Sequence, residues 1–296
     1  MSQLLTNIRN KVLATFVRQV AGAGIGASNP ATHHDKVLQI PSRDADRTIK
    51  AHVYSSTYTA QPAPVLINFH GSGFMIPMHG TDDEFAMRIA KDTQYNVLDV
   101  QYRLAPEHPF PAGAHDTEDV VRYVLARPQE YDPDRIAVSG FSAGGNFALG
   151  LSGHVFPPTT FRHVIAFYPP INLAQDPHTK AAPDTSGRSL PAWMAEIFDN
   201  CYCPDGIDRA QPLVSPYYID PERFSNSMLV ITCAQDTLAP ETEELVKRVQ
   251  DVEGKRVAHE RFEGCGHAWD KSYRPGTAQE KAKDRAYDLA VEILSS

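Results

Sequence analysis

A serine lies at the centre of a short glycine-rich motif, Gly140–Gly144, which reads Gly-Phe-Ser-Ala-Gly. The apolar run Ile136–Ser139 precedes this motif, and a helical pattern follows it from Asn146. A sharp turn from a buried strand into a helix tolerates only small neighbours and exposes the serine hydroxyl at the edge of a sheet. The N-terminus of the next helix adds positive potential there. The motif therefore predicts Ser142 as an acylating nucleophile, and a purely structural glycine turn is the alternative.

A serine hydroxyl needs a base that removes its proton, and the base needs a carboxylate that orients it. With a nucleophile on this kind of turn, the chain order is Ser, then Asp or Glu, then His. Asp236 follows the apolar run Met228–Thr232, and His267 follows the last strand-like segment. Both then lie at the same sheet edge as Ser142. We predict Asp236 as the acid and His267 as the base, with Asp270 as a second candidate acid. The alternatives are a helix-capping aspartate and a structural histidine.

Acyl transfer also requires hydrogen-bond donors for the oxygen that becomes negatively charged in the transition state, and these are typically backbone N–H groups. The segment His70–Phe74, with the sequence His-Gly-Ser-Gly-Phe, follows the apolar run Val65–Phe69. Its small residues allow the backbone to approach a substrate closely. We predict that the amides of Ser72, Gly73 and Ala143 form an oxyanion hole. A glycine turn without a ligand is the alternative.

The elements that position these residues follow from an alternation of apolar runs with helical patterns. Continuous apolar runs are typical of parallel strands buried on both faces, and here they are Val65–Phe69, Asn96–Val100, Ile136–Ser139, Val164–Phe167 and Met228–Thr232. Strand-like segments also occur at Val37–Ile40, Ile49–Tyr54 and Val257–Phe262. Helical patterns occur at Asp82–Lys91, Asp116–Arg127, Asn146–His154, Pro240–Val252 and Gln279–Leu294. This order predicts an α/β fold with a mostly parallel, doubly wound sheet.

Two regions do not follow the alternation. Residues 4–20 carry apolar side chains at helical spacing, and residues 172–220 contain many prolines and no clear strand. Open α/β sheets bind ligands at their carboxyl edge. We therefore predict that residues 1–296 form a single domain, with a helical cap over that edge made of about residues 1–30 and about residues 172–220.

The composition excludes several classes of partner. Of the 296 residues, 42% are hydrophobic and 22% are charged, as in ordinary globular domains. A net charge of −8, without a cluster of Lys or Arg, disfavours nucleic acids and anionic membrane surfaces. No apolar run approaches the roughly 18 residues of a membrane span, and the charged N-terminal helix does not fit a secretory signal. The four cysteines match neither a disulfide framework nor a zinc site. We expect free thiols, no metal and a cytoplasmic location.

Taken together, these motifs resemble the hormone-sensitive-lipase family of α/β-hydrolases. The resemblance rests on His70–Phe74, on Tyr102–Ala112 with the sequence Tyr-Arg-Leu-Ala-Pro-Glu-His-Pro-Phe-Pro-Ala, on Gly140–Asn146, and on Asp236 with His267. It spans about residues 65–270. The eleven-residue string carries the most weight, because a string of that length rarely matches by chance.

The resemblance implies an α/β-hydrolase fold that hydrolyses carboxylic esters of short to medium chain length without a cofactor. It also implies a homodimer that pairs through the edge strand and the last helix. Two residues depart from the family pattern. Ser72 replaces the middle glycine of the oxyanion loop, and Phe141 stands before the nucleophile, where Asp is common.

Apolar residues beside the oxyanion loop, in the cap and in the histidine loop are expected to line an acyl or alcohol pocket, and they are Phe74, Trp193, Phe198 and Trp269. A plain core role is the alternative for these four. A small-molecule receptor on a hydrolase scaffold is a different function for the whole chain, although a complete Ser-Asp-His set argues against it. The same residues would also serve amide, carbamate or thioester hydrolysis.

Overall fold

The computed structural model describes residues 11–19, 33–58 and 60–296. Within these residues an eight-stranded sheet has the strand order β1-β2-β4-β3-β5-β6-β7-β8. The strands are β1 (Lys36–Pro41), β2 (Thr48–Tyr54), β3 (Ala63–Phe69), β4 (Asn96–Gln101), β5 (Tyr131–Phe141), β6 (His163–Phe167), β7 (Ser227–Cys233) and β8 (Arg256–Phe262). Strands β3 to β8 are mutually parallel, and β2 runs antiparallel to both β1 and β4.

Helices cover both faces of the sheet. Residues 11–19 are helical (α1), and the later helices are α2 (Asp83–Asp92), α3 (Ala112–Leu125), α4 (Ala143–Gly150), α5 (Ala192–Tyr202), α6 (Ala239–Gln250) and α7 (Ala278–Leu294). A π-helical turn, Leu151–Val155, extends α4. The predicted α/β fold with a doubly wound, mostly parallel sheet is confirmed.

The central strands are apolar throughout because each face of the sheet has its own core. In β3, Val65 and Ile67 belong to the core under α3, α4 and α6, whereas Leu66 belongs to the core under α2 and α7. Strand β6 follows the same alternation, with Val164 on the first side and Ile165 on the second. Side chains of a strand alternate between faces, so only a continuous apolar run can fill both cores.

Only part of the predicted cap lies within the described residues. Residues 1–10 and 20–32 of the expected N-terminal portion lie outside the described residues. In α1, Ala14 and Val17 are buried in the core, and the Arg18 guanidinium donates to the carbonyl oxygens of Met75 and Ala105. Residues 172–220 contain α5 and short 3-10 turns, and no strand is found there. The single domain and its cap remain predictions.

Within the described residues, no helix is both long enough and apolar enough to cross a membrane.

Candidate active site

Ser142 lies on the turn that joins β5 to α4, with backbone angles of φ 49° and ψ −118°. This is a strained conformation for a residue with a side chain. The turn needs glycine on both sides. A Cβ on Gly144 would lie 1.9 Å from the carbonyl oxygen of Phe69, and a Cβ on Gly140 would lie 2.2 Å from the backbone of Gly144. The spacing of the two glycines therefore follows from backbone packing around the serine.

Three of the predicted residues form a continuous hydrogen-bonded chain. Asp236 follows β7 and His267 follows β8, so both leave the sheet at the carboxyl edge that carries Ser142. The distance from Ser142 Oγ to His267 Nε2 is 2.9 Å, and that from His267 Nδ1 to Asp236 Oδ2 is 2.7 Å. With its proton on Nδ1, the imidazole donates to Asp236 and leaves Nε2 free to accept the Ser142 proton.

The surroundings of His267 favour its protonated form. Burial opposes the charge on the imidazole, but the charge and the hydrogen bond of Asp236 outweigh it, and the pKa of His267 is raised above its ordinary value. The Asp236 side chain is 1% exposed, so its charge is poorly screened. The ring of Tyr168 packs edge-on against His267, with 4.9 Å between the ring centroids. The base is thereby held from two sides.

The alternative acid, Asp270, has other partners. Its carboxylate accepts hydrogen bonds from the hydroxyls of Tyr168 and Tyr287, at 2.6 Å and 3.0 Å. It also forms an ion pair with Lys271 at 3.0 Å. Asp236, and not Asp270, is the carboxylate bonded to His267.

The segment predicted to supply oxyanion donors passes directly beside the serine. A Cβ on Gly71 would lie 3.7 Å from the Cβ of Ser142, and Gly73 lines the same cavity as Ser142. Gly73 has a φ of 51°, a conformation that favours glycine. Ala143 is the first residue of α4, where N–H groups have no partner within the helix. The placement of Ser72, Gly73 and Ala143 is compatible with an oxyanion hole, and this role remains a prediction.

The two departures from the family pattern have local explanations. Tyr102 donates its hydroxyl proton to the carbonyl oxygen of His70 at 2.6 Å, so the Ser72 hydroxyl, 2.8 Å from Tyr102, is the donor of that second bond. The Ser72 hydroxyl is thus bonded to Tyr102. Phe141 is completely buried and stacks on Phe167, with 4.3 Å between ring centroids. It forms part of the core on the α2 and α7 side.

A small enclosed cavity opens from Ser142 beneath α5, and two of the four predicted pocket residues line it, Phe74 and Phe198. Trp193 and Trp269 lie elsewhere. Trp193 is on the opposite face of α5 and is 47% exposed. Trp269 is buried in the core, where it stacks on the ring of Phe262, and it follows Ala268, which has a left-handed backbone conformation.

The cavity also contains polar residues that the sequence analysis did not single out. Lys180 and Asp199 line it together with Ser142. Lys180 forms an ion pair with Glu241 at 2.6 Å, and both side chains are nearly buried. The spacing of residues in α5 is the feature of the sequence that could have indicated Asp199. It lies four residues after Ala195 and three before Tyr202, on the face that also carries Phe198. An acidic residue on the buried face of a helix is a candidate functional residue.

Comparison with known proteins is consistent with this architecture. A family model described as alpha/beta hydrolase fold matches residues 66–271. A hyperthermophilic esterase from the archaeon Pyrobaculum calidifontis has a TM-score of 0.78 and 26% identity, over 100% of this chain and 98% of that one. A thermostable carboxylesterase cloned from a metagenomic library has a TM-score of 0.79 and 27% identity, over 97% of this chain and 98% of that one.

Curated relatives match over shorter stretches. An AB hydrolase superfamily protein of Schizosaccharomyces pombe is 29% identical over 214 residues, which are 69% of this chain and 62% of that protein. Carboxylesterase NlhH of Mycobacterium tuberculosis is 41% identical over 102 residues, 34% of this chain and 32% of that protein. The chain thus spans less than two thirds of the length of these relatives. It belongs to the α/β-hydrolase fold family, and the predicted resemblance to its hormone-sensitive-lipase branch is confirmed.

Proposed function

We propose that this protein is a serine hydrolase that cleaves carboxylic esters of short to medium acyl chain length through Ser142, His267 and Asp236. The observation that carries the proposal is the chain of two hydrogen bonds, 2.9 Å from Ser142 Oγ to His267 Nε2 and 2.7 Å from His267 Nδ1 to Asp236 Oδ2. The names of one relative and of the two similar structures, which are an esterase and carboxylesterases, support the choice of an ester bond.

In this mechanism neutral His267 takes the Ser142 proton through Nε2 while Oγ attacks the ester carbonyl carbon. Asp236 holds the proton on Nδ1 and stabilises the imidazolium that forms. The amides of Ser72, Gly73 and Ala143 donate to the negative oxygen of the tetrahedral intermediate. His267 then gives its proton to the leaving alcohol, and water attacks the acyl-enzyme by the same sequence of proton transfers.

The preference for short chains rests on the size of the cavity beside Ser142. Its free volume is about 30 Å³, so the space open to an acyl chain is small. An acyl group of a few carbons fits with small side-chain movements. A long chain requires that α5, which carries Phe198, moves away from the oxyanion loop.

The decisive experiment compares wild type with Ser142→Ala on p-nitrophenyl acetate and butyrate. We expect a loss of at least about 10³-fold in kcat, because the nucleophile is gone while binding residues remain. Ser152→Ala is the matched control, since Ser152 is another buried serine, in the π-helical turn that extends α4. A Ser142→Ala enzyme that keeps most of its activity overturns the proposal.

A fluorophosphonate probe separates an enzyme from a receptor on the same scaffold. The probe should label wild type at Ser142 and leave Ser142→Ala unlabelled. A protein that binds small molecules but stays unlabelled is a receptor. A panel of matched ester, thioester, carbamate and amide substrates then identifies the bond, and we expect the ester to be fastest.

We also propose that two copies pair through β8 and α7. In support, β8 is the last strand of the sheet order, so one side of it has no neighbouring strand among the described residues. A charge-reversing variant on the exposed side of β8 should convert a dimer to a monomer in light scattering after size-exclusion chromatography. A wild-type monomer at micromolar concentration contradicts the pairing.

A cytoplasmic location is a further proposal. The four cysteines are buried and none of them forms a disulfide, as expected for a protein that works where thiols stay reduced; they are Cys201, Cys203, Cys233 and Cys265. Cell fractionation tests it, and recovery of the protein in a secretory compartment contradicts it.

A further inference from the structure

Three imidazole rings pack in a row beside strands β2 and β4. His34 stacks on His52 with 3.9 Å between centroids, and His52 lies 4.0 Å from His79. His52 in β2 is the direct cross-strand partner of Asp99 in β4. Such partners have Cβ atoms about 4.5–5.5 Å apart. The strand register therefore places an imidazole and a carboxylate side by side.

Several polar atoms of this cluster lack a hydrogen-bond partner among the described residues. They include Nδ1 of His52 and Oδ2 of Asp99. His52 is 5% exposed and Asp99 is fully buried. The His79 Nε2 atom lies 3.0 Å from the backbone oxygen of Asp99 and 3.3 Å from its Oδ2. Because buried polar atoms are almost always paired, the unpaired nitrogen and oxygen of this cluster are available as ligands for an ion.

We propose that His52, His79 and Asp99 bind one divalent transition-metal ion of the zinc type. Each of the three offers a ligand atom, and these atoms lie within 4.8 Å of one another. Two imidazole nitrogens and one carboxylate oxygen are a donor set that zinc and its neighbours accept. On binding, His79 stays neutral, with its one proton on the ring nitrogen that does not ligate, and Asp99 ligates as the carboxylate after releasing any proton to solvent. The ion joins β2 and β4 to the loop that continues from Gly73, so it stabilises the fold around the site.

The test uses the full-length protein after treatment with a chelator. Isothermal titration with Zn²⁺ should give one ion per chain, and Co²⁺ should give the visible absorption of a nitrogen and oxygen site without thiolate bands. The melting temperature should rise with metal concentration. His52→Asn, His79→Gln and Asp99→Asn should each lower the affinity at least about tenfold, a normal effect for loss of a ligand.

His163→Asn is the matched control, because His163 is equally buried in β6 but far from the cluster in the sheet order. Wild type that takes up no Zn²⁺ and shows no shift in melting temperature overturns the proposal, even where a variant fails to fold. Equal affinity in wild type and in a folded ligand variant overturns it as well. Ester hydrolysis is not a readout, so the result does not depend on the proposed function.

A second inference comes from the cavity itself and rests on the proposed ester hydrolysis. Asp199 lines this cavity with Ser142 and is 7% exposed. Among the described residues, the charges of Lys180 and Arg209 act on its carboxylate, but neither cation is found within ion-pair distance of it. The nearby ammonium group of Lys180 is already paired with Glu241 and also donates to the carbonyl oxygen of Asn172. A buried, unpaired carboxyl next to a nucleophile is costly unless a ligand satisfies it.

We infer that Asp199 receives a hydrogen-bond donor of the substrate, so that the preferred esters carry a hydroxyl or a protonated amine on the chain that enters the cavity. Burial raises the pKa of Asp199 to about 7, and the nearby Lys180 limits the rise. The carboxyl can accordingly meet either group near neutral pH. An unsubstituted chain would fill the space but leave the carboxyl unpaired.

The test uses isosteric pairs that exchange a hydroxyl for a methyl group. On the acyl side these are the p-nitrophenyl esters of 3-hydroxybutyrate and 3-methylbutyrate, and on the alcohol side 3-hydroxybutyl and 3-methylbutyl acetate. Wild type should favour the hydroxyl member of one pair by about tenfold in kcat/KM, the usual effect of one hydrogen bond to a charged group. The 3-aminobutyrate ester distinguishes the amine from the hydroxyl.

Asp199→Leu should abolish the hydroxyl preference, and Asp199→Asn should retain it while losing the preference for the amine. Glu196→Gln, on the exposed face of the same helix, is the control. A wild type without preference in either pair, or a preference that survives in Asp199→Leu, overturns the inference. Hydrolysis of p-nitrophenyl acetate, lost in Ser142→Ala, is scored separately, so failure of the inference and failure of the proposed function remain distinct.

Discussion

The Lys271 ammonium group lies 2.8 Å from a carboxylate oxygen of Asp82. Lys271 follows His267 by four residues in the chain. It also pairs with Asp270 at 3.0 Å and lies 3.8 Å from the centre of the Phe141 ring. Both carboxylates are fully buried, and the lysine side chain is 14% exposed. One cation thus neutralises two acids under the histidine loop.

Replacing Lys271 with Met should destabilise the protein strongly. The change leaves Asp82 and Asp270 without a counterion, and breaking a buried ion pair from one side costs about 3–5 kcal/mol. The free energy of unfolding from urea titration measures the loss. Lys281→Met is the control, because Lys281 is exposed on α7 and should cost less than about 0.5 kcal/mol. Equal losses in both variants would contradict the role of the buried pair.

Ser72→Gly should keep most of the activity while lowering stability. The Ser72 hydroxyl donates to Tyr102, so its removal costs one buried hydrogen bond, about 1 kcal/mol. The backbone donors of the oxyanion loop stay in place, and kcat on p-nitrophenyl butyrate should change less than about tenfold. A drop of about 10²–10³, typical for loss of an oxyanion donor, would assign the Ser72 hydroxyl to the oxyanion hole instead. Tyr102→Phe is the comparison, since it should cost more stability by leaving two partners unpaired.

Much of the fold could be predicted because each parallel strand carries its own signal, a continuous apolar run. The exceptions show where that signal fails. Strand β5 begins at Tyr131, five residues before the predicted start, because its first part is polar and pairs with β3 only at Ala63 before a bulge. Helix α3 begins at Ala112, four residues before the predicted start, directly after Pro111.

The residues of the candidate site that follow a strand could be predicted, because the order of the strands along the chain determines which loops meet at the sheet edge. The ion pairs between residues far apart in the chain could not be predicted. The order of Ser142, Asp236 and His267 follows from the strands they leave. The pairs Lys271 with Asp82 and Lys180 with Glu241 join residues far apart in the chain, and no local pattern indicates them. The position of Trp193 has a simpler reason, since helical periodicity places it and Phe198 on different faces of α5 and only Phe198 lines the cavity.

Phe198→Ala should extend the range of acyl chains. The Phe198 ring lies against the oxyanion loop so closely that a Cβ on Gly73 would be 2.7 Å from it. Its removal enlarges the cavity, and the ratio of kcat/KM for hexanoate over acetate should rise at least about tenfold. A rise of that size corresponds to accommodating one or two of the additional methylenes of hexanoate. Trp193→Ala, on the outer face of the same helix, should leave the ratio unchanged. A shift in Trp193→Ala equal to that in Phe198→Ala would contradict the assignment of the cavity.

Asp236→Asn should change both the rate and its pH dependence. In the proposed mechanism activity requires neutral His267, so kcat/KM falls as the pH drops through the pKa of that imidazole. In wild type Asp236 raises this pKa above its ordinary value against the effect of burial. Without the charge, burial dominates and the pKa falls, so the acid limb of the pH–rate profile moves to lower pH. The plateau should drop about 10⁴-fold, because Asn no longer fixes the tautomer.

Asp270→Asn separates the two acids near His267. The charge of Asp270 also raises the pKa of His267, but less than that of Asp236, and its carboxylate is bonded to Tyr168 and Tyr287. We therefore expect a smaller shift of the acid limb in the same direction and a plateau within about tenfold of wild type, since the His267 tautomer is still held by Asp236. A larger loss of rate in Asp270→Asn than in Asp236→Asn would make Asp270 the acid of the reaction. Because Asp270 also contacts Lys271, the unfolding free energy of each variant is measured first, and rates are compared only at temperatures where both are folded.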